Sequence, residues 1–67
     1  MKYKARLLDE NYNVINSFWF KSQYDISNIE LAHKDAEHIA DEKGYKYNTI
    51  QIHPKIIKGW WAFCKTA

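Results

Sequence analysis

The chain has little of several residue types that often define a function. It contains a single cysteine, Cys64, so no disulfide can form within the chain, and the stapled secreted scaffolds are excluded. One proline and two glycines give neither a glycine-rich phosphate loop nor a linker. No apolar run approaches the length that spans a membrane, and the first residues lack a signal-peptide pattern. We therefore expect one domain, residues 1–67, in the cytoplasm and away from membranes.

Groupings that carry catalysis or bind metals are also missing from the sequence. There is no nucleophile elbow and no pair of carboxylates in an apolar setting. His33 and His38 are five residues apart, roughly 140° around a helix, so they do not share a face as zinc-binding histidines do. We expect both to lie on a solvated, acidic helix surface, and Cys64 to be a small structural hydrophobe. The sequence thus predicts neither an enzyme nor a bound cofactor.

Aromatic residues, in contrast, are abundant: three Trp, five Tyr and three Phe in 67 residues. A single core of this size rarely supplies more than about 3–5 kcal/mol, and large rings fill such a core with few residues. The chain is also rich in Lys, Asn, Ile and Tyr and poor in Gly, Pro and Arg, as an AT-rich gene would encode. This bias favours a bacterial, phage or mobile-element origin.

One segment, residues 27–44, carries both a start and a stop signal for a helix. Ser27 and Glu30 have the spacing of a capping box, and Gly44 is the residue type that ends helices in a left-handed conformation. A narrow, alanine-rich stripe follows at helical spacing, formed by Ile29, Ala32, Ala36, Ile39 and Ala40. Such a stripe predicts a helix that lies close against a sheet.

Strand patterns flank this helix on both sides. Residues 1–8 alternate between apolar and basic side chains, and residues 14–22 are rich in β-branched and aromatic types. Residues 45–53 and 56–65 predict two further strands, with Pro54 marking the end of the third. The order β-β-α-β-β predicts an α+β two-layer sandwich: a four-stranded antiparallel sheet with one helix packed on one face.

The charges divide between the two predicted layers. The helical segment carries five acidic residues against two lysines, a net charge of −3, whereas the rest carries eight basic residues against three acidic ones, a net charge of +5. The sheet is therefore expected to be basic and the helix acidic.

One helix covers only one face of a sheet, and aromatic residues remain for the other. Because side chains alternate with period two, either register leaves large aromatics on the uncovered face. If the first strand buries Tyr3 and Leu7, this face collects the residues predicted to bind a partner: Lys4, Arg6, Trp19, Lys21, Lys58 and Trp60. Alternatively, Trp60 packs under a loop, and lysine stems merely cover Trp19.

Exposed aromatic patches usually mark interaction sites. The leading interpretation is a protein-binding module that contacts a target or a second copy of itself, as a small inhibitor or adaptor would, because aromatics concentrate at the centres of interfaces. The alternative is single-stranded nucleic acid, whose bases stack on aromatics while lysines neutralise phosphates. A single arginine and the absence of a nucleic-acid-binding motif count against the alternative. The acidic helix is a further candidate surface for a basic partner.

Overall fold

The computed structural model describes residues 1–55, together with the backbone of residues 63–66. The chain begins with two strands and continues through a short 3₁₀ turn into the helix, after which a third strand follows. The elements are β1 (Lys2–Leu8), β2 (Val14–Lys21), the 3₁₀ turn (Ile26–Asn28), α1 (Ile29–Glu42) and β3 (Thr49–Pro54). The predicted α+β class is confirmed, with three antiparallel strands in one sheet and one helix.

The first strand lies in the middle of this sheet. β1 pairs antiparallel with β2 on one side and with β3 on the other. The backbone of a further segment, Phe63–Thr66, pairs antiparallel with β3. Most of the predicted fourth strand, residues 56–65, lies outside the described residues. The complete four-stranded sheet therefore stays a prediction.

The register sorts the side chains of β1 and β2 onto two faces. Tyr3 stands opposite Phe20 and Ala5 opposite Phe18, and all of these point toward the helix. Tyr3 and Phe20 stack at 5.5 Å between ring centroids. On β3, Ile50 and Ile52 are fully buried on the same side. Tyr3 and Leu7 are buried, so the condition under which the sequence placed the partner-binding residues on the other face is met.

The hairpin between β1 and β2 is held by Asp9. Its Oδ1 accepts hydrogen bonds from the backbone N–H groups of Asn11 (2.8 Å) and Asn13 (2.9 Å). These bonds hold the pKa of Asp9 below its usual value. The residue with a left-handed backbone in this turn is Tyr12, at φ +63°, and no local pattern pointed to it. Just after the turn the pairing of β1 with β2 shifts by one residue at Ile15, a β-bulge.

The helix begins differently from the prediction. The capping box at Ser27 is wrong: Ser27 lies inside the 3₁₀ turn, and Asp25 caps this turn by accepting from the Ser27 backbone N–H at 3.0 Å. At the other end the prediction is confirmed, because Gly44 has φ +74°. Bonds from Gly44 N to the Asp41 carbonyl and from Tyr45 N to the Ala40 carbonyl close a Schellman-type end.

The alanine stripe brings α1 close to the sheet. Ala32, Ala36 and Ala40 are fully buried, and their small side chains let the helix backbone approach the isoleucines of β3. The third strand starts later than predicted, at Thr49, and includes Pro54 as its last residue. No described element packs on the sheet face opposite the helix, where Lys2, Trp19 and Lys21 are exposed, whereas Leu8 and Thr49 at one end of that face are buried.

Candidate functional site

The candidate site is the sheet face that points away from the helix, called here the open face. In the described strands it comprises Lys2, Lys4 and Arg6 of β1, Ser17, Trp19 and Lys21 of β2, and Gln51 and His53 of β3. The alternation of β1 produces it directly, since the apolar residues of that strand are buried and the basic ones between them are not. Three strands thus contribute to one surface.

Trp19 lies on β2, the edge strand of the sheet, among the basic residues of this surface. It stands directly opposite Lys4 and remains 52% exposed. The Nζ atoms of Lys2 and Lys4 lie 5.4 Å and 5.7 Å from its ring centroid, within the range of cation–π attraction. Two lysines of one strand therefore flank the same indole. Part of the ring is held in place while half of its surface stays open to a partner.

The pairing register also sets like charges against each other. Lys2 stands directly opposite Lys21, and neither residue is buried. Like charges at opposed positions of a sheet are destabilising. An anionic partner would remove that repulsion on binding, so the arrangement favours the bound state electrostatically.

Farther along the open face, a side-chain hydrogen bond joins β1 to β3. Arg6 of β1 stands opposite Gln51 of β3, and its Nε donates a hydrogen bond to the Gln51 Oε1. Next to this pair, Lys4 stands opposite His53. The bond to Gln51 holds the guanidinium on the open face, which also carries Lys4, so that Arg6 belongs to the same basic surface.

Every charged side chain that β1, β2 and β3 carry is basic. All four, Lys2, Lys4, Arg6 and Lys21, lie on the open face, and these strands contain no Asp or Glu. The acidic residues of α1 lie in the other layer. The two sides of the domain therefore differ in the sign of their charge, as the sequence predicted.

The predicted site residues fall into two groups. Trp19, Lys4, Arg6 and Lys21 are brought together on the open face. Trp60 and Lys58 lie outside the described residues. Lys2 was left out of the predicted set, yet it contacts the indole as closely as Lys4 does. The signal for it was the two-residue spacing of Lys2 and Lys4 beside a tryptophan on the neighbouring strand.

His33 corrects the expectation of a solvated histidine. Its side chain is buried, with Nε2 lying 3.0 Å from the Ile50 carbonyl and Nδ1 3.0 Å from Glu37 Oε1. It therefore links the helix to the start of β3. His38, as expected, is exposed. The residues that the structure describes include no cluster of three His, Cys, Asp or Glu side chains arranged to hold a metal ion.

A second, weaker feature lies at the hairpin end. Tyr12, Val14 and Ile15 are all about half exposed or more. Beside them is a wide-open depression of about 530 Å³, lined by Asp9, Glu10, Ile15, Lys46, Tyr47 and Asn48. Burial, followed by the nearby carboxylates of Asp41 and Glu37, raises the pKa of Tyr47. The depression is shallow and mixed in charge, so it lacks the single-sign character of the open face.

Comparison with known proteins gives no information on the family or function of this chain. No protein family, curated protein or solved structure matches the chain. None of the described helices is both long and apolar enough to cross a membrane.

Proposed function

We propose that this protein is a small, non-enzymatic binding module that acts in the cytoplasm and docks an acidic protein surface on its open face. In this proposal the last strand completes a four-stranded sheet, with α1 packed on one side in a two-layer sandwich. An inhibitor or adaptor role, of the kind encoded by phages and mobile elements, fits a domain whose described residues present a basic binding face and no metal-binding cluster.

One observation carries the proposal: Trp19 is half exposed on the edge strand β2, on a surface whose charged residues in the described strands are all basic. Tryptophan is among the residues that most often dominate binding energy, typically when it is desolvated at the centre of an interface with polar residues around it. Here the surrounding residues are Lys2, Lys4, Lys21 and Arg6. A carboxylate-bearing partner would pair with the rim while covering the indole.

The same charges argue against two open faces meeting each other. Such a symmetric dimer would place two sets of basic residues in contact, and like charges brought together at an interface cost several kcal/mol. The partner of the open face is therefore an acidic surface, whether from a different protein or from a different part of this chain.

Single-stranded nucleic acid is the second candidate, and one observation favours it. The lysines and the indole adjoin each other, which is the combination that neutralises phosphates and stacks bases. Salt separates the two candidates. A strand that contacts four basic residues should lose affinity steeply with added salt, with a log–log slope of roughly −3. A protein contact centred on a buried indole should depend on salt less strongly.

The test uses labelled probes and fluorescence anisotropy. One probe is a peptide in which Glu and Asp alternate with Leu and Phe, a second replaces its acidic residues with Lys, and a third is a thymidine oligonucleotide. We expect the acidic peptide to bind and the lysine peptide not to bind. Trp19→Ala should weaken binding by about 2 kcal/mol, roughly 30-fold, as loss of a central tryptophan typically does.

Two matched controls identify the surface. Tyr12→Ala removes an aromatic residue at the hairpin tip that is more exposed than Trp19, and Lys46→Glu reverses a charge outside the open face; both should bind like the wild type. Lys4→Glu should bind the acidic peptide weakly. If Trp19→Ala and Lys4→Glu bind the acidic peptide as the wild type does, the proposal is wrong. Preference for the oligonucleotide at physiological salt would instead select the second candidate.

A further inference from the structure

The outer side of α1 is acidic and carries exposed apolar groups. Its exposed residues include Glu30, Leu31, Asp41 and Glu42, with one intervening cation, Lys34. Leu31 is 38% exposed and Ile26, in the preceding 3₁₀ turn, is 40% exposed. This surface, called here the outer helix face, is therefore opposite in charge to the open face and, like it, carries an exposed apolar group.

We propose that the open face of one copy binds the outer helix face of a second copy. The inference rests on the proposed function, because it names the acidic partner that the open face would take. In this arrangement Trp19 of one copy covers Leu31 of the next, and the basic residues of the open face lie along the acidic side of that helix, where Asp41 and Glu42 are about 15 Å from Leu31. Each of these residues is exposed or half-buried in the single chain, so the contact requires no rearrangement.

Charge complementarity is the argument for this occupant. The open face carries four cations in the described strands, and the outer helix face carries three carboxylates against one lysine. The whole chain has a net charge of only +2, so two copies repel each other weakly at long range. Oppositely charged faces would then orient the encounter, since complementary potentials steer association.

The two faces lie on opposite sides of the domain, and this fixes the kind of assembly. α1 packs on the sheet side that carries Tyr3, Phe20 and Ile52, whereas Trp19 points the other way. A contact between different surfaces of identical chains is heterologous, so a pair of copies still has one unoccupied face at each end. Further copies add to these faces until a ring closes or an open chain forms. Association should therefore not stop at two copies.

The experiment uses two variants, each with one face disabled. The first, Lys4→Glu with Trp19→Ala, loses the open face and keeps the outer helix face. The second, Leu31→Ala with Glu42→Lys, loses the outer helix face and keeps the open face. Both change exposed or half-buried side chains, and circular dichroism checks that each is folded. Light scattering behind size-exclusion chromatography then gives the mass at low and at physiological salt.

Wild-type protein at low salt should show a mass that rises with concentration beyond that of a dimer. Each variant alone should be a monomer. Mixed in equal amounts, they should form a one-to-one pair that grows no further, because only one working face remains on each partner. Glu10→Lys with Tyr12→Ala, changed at the hairpin tip, is the matched control and should associate like the wild type.

Three results would overturn the inference. The first is a wild-type mass that stays monomeric at every concentration at low salt, and the second is a mixture of the two variants that forms no pair. The third is a wild-type dimer that persists in both variants, which would place the contact elsewhere. The acidic probe peptide distinguishes a failure of this inference from a failure of the proposed function. A monomer that still binds the peptide through Trp19 keeps the proposed function, and a monomer that ignores it loses both.

Discussion

Alanine substitutions at two adjacent residues of β2 should lower the free energy of unfolding by very different amounts. Trp19 and Phe20 are neighbours in sequence but point to opposite faces of the sheet. Phe20 is 6% exposed and stacks on Tyr3, whereas Trp19 is 52% exposed between two lysine side chains. If the open face is a binding surface and not part of the core, Phe20→Ala should unfold the domain and Trp19→Ala should not.

The magnitudes follow from burial. Replacing a core phenylalanine with alanine costs about 3–5 kcal/mol, which equals the whole stability expected for a core of this size. A fully buried tryptophan removes about 200 Å² from water, so one that is half exposed buries about 100 Å², worth at most roughly 2.5 kcal/mol. Alanine retains part of that contact, so we expect Trp19→Ala to cost about 2 kcal/mol.

The assay is urea unfolding followed by far-ultraviolet circular dichroism, which does not depend on the indole that is removed. Trp19→Ala should keep the native spectrum without urea and unfold at a lower midpoint with an unchanged slope. Phe20→Ala should lack the native spectrum without urea or have an unfolding midpoint close to zero urea. If Trp19→Ala destabilises the domain as much as Phe20→Ala does, the indole belongs to the core, and the assignment of the open face fails.

Three further substitutions test the ends of α1 and its link to the sheet. Gly44→Ala should destabilise by about 1–2 kcal/mol, because Gly44 has φ +74° and its surroundings are open, and urea unfolding should show a smaller loss for Gly44→Asn. The hydrogen bonds from Ser27 lower the pKa of Asp25, so its carboxylate stabilises the fold above the unfolded-state pKa, and this contribution is lost as the pH falls through the folded-state pKa. Urea midpoints for the wild type and Asp25→Ala should accordingly differ more at pH 7 than at pH 2, and a constant difference would contradict the assigned cap. His33→Leu leaves the buried Ile50 carbonyl without the hydrogen bond from the imidazole and should cost about 1–3 kcal/mol, whereas a stability equal to the wild type would show that the bond contributes nothing.

The parts of the fold that the sequence predicted are those governed by periodicity. Tyr3, Leu7, Phe18 and Phe20 fall on one side because strand side chains alternate, and a shift by one residue would have exposed all of them. The end of α1 was predictable from Gly44 because a left-handed residue has few alternatives. The basic character of the open face followed from the same alternation.

The errors arose where tertiary contacts decide the outcome. His33 was expected on the solvated surface of the helix, but the short alanine side chains bring α1 so close to β3 that His33, next to Ala32, is buried as well. Asp25 and Ser27 are both good caps, and the 3₁₀ turn before α1 selected the earlier one. Nothing in the local sequence distinguishes Tyr12 from its asparagine neighbours as the left-handed residue of the turn.

The most direct test of the central claim is a map of where the acidic peptide binds. Two-dimensional ¹H–¹⁵N spectra of the labelled protein, recorded as the peptide is added, report on each backbone amide and on the indole N–H of Trp19. Binding at the open face predicts shifts at Trp19, Lys4 and Lys21. Shifts confined to α1 or to the hairpin tip, with the Trp19 indole unmoved, would contradict the account.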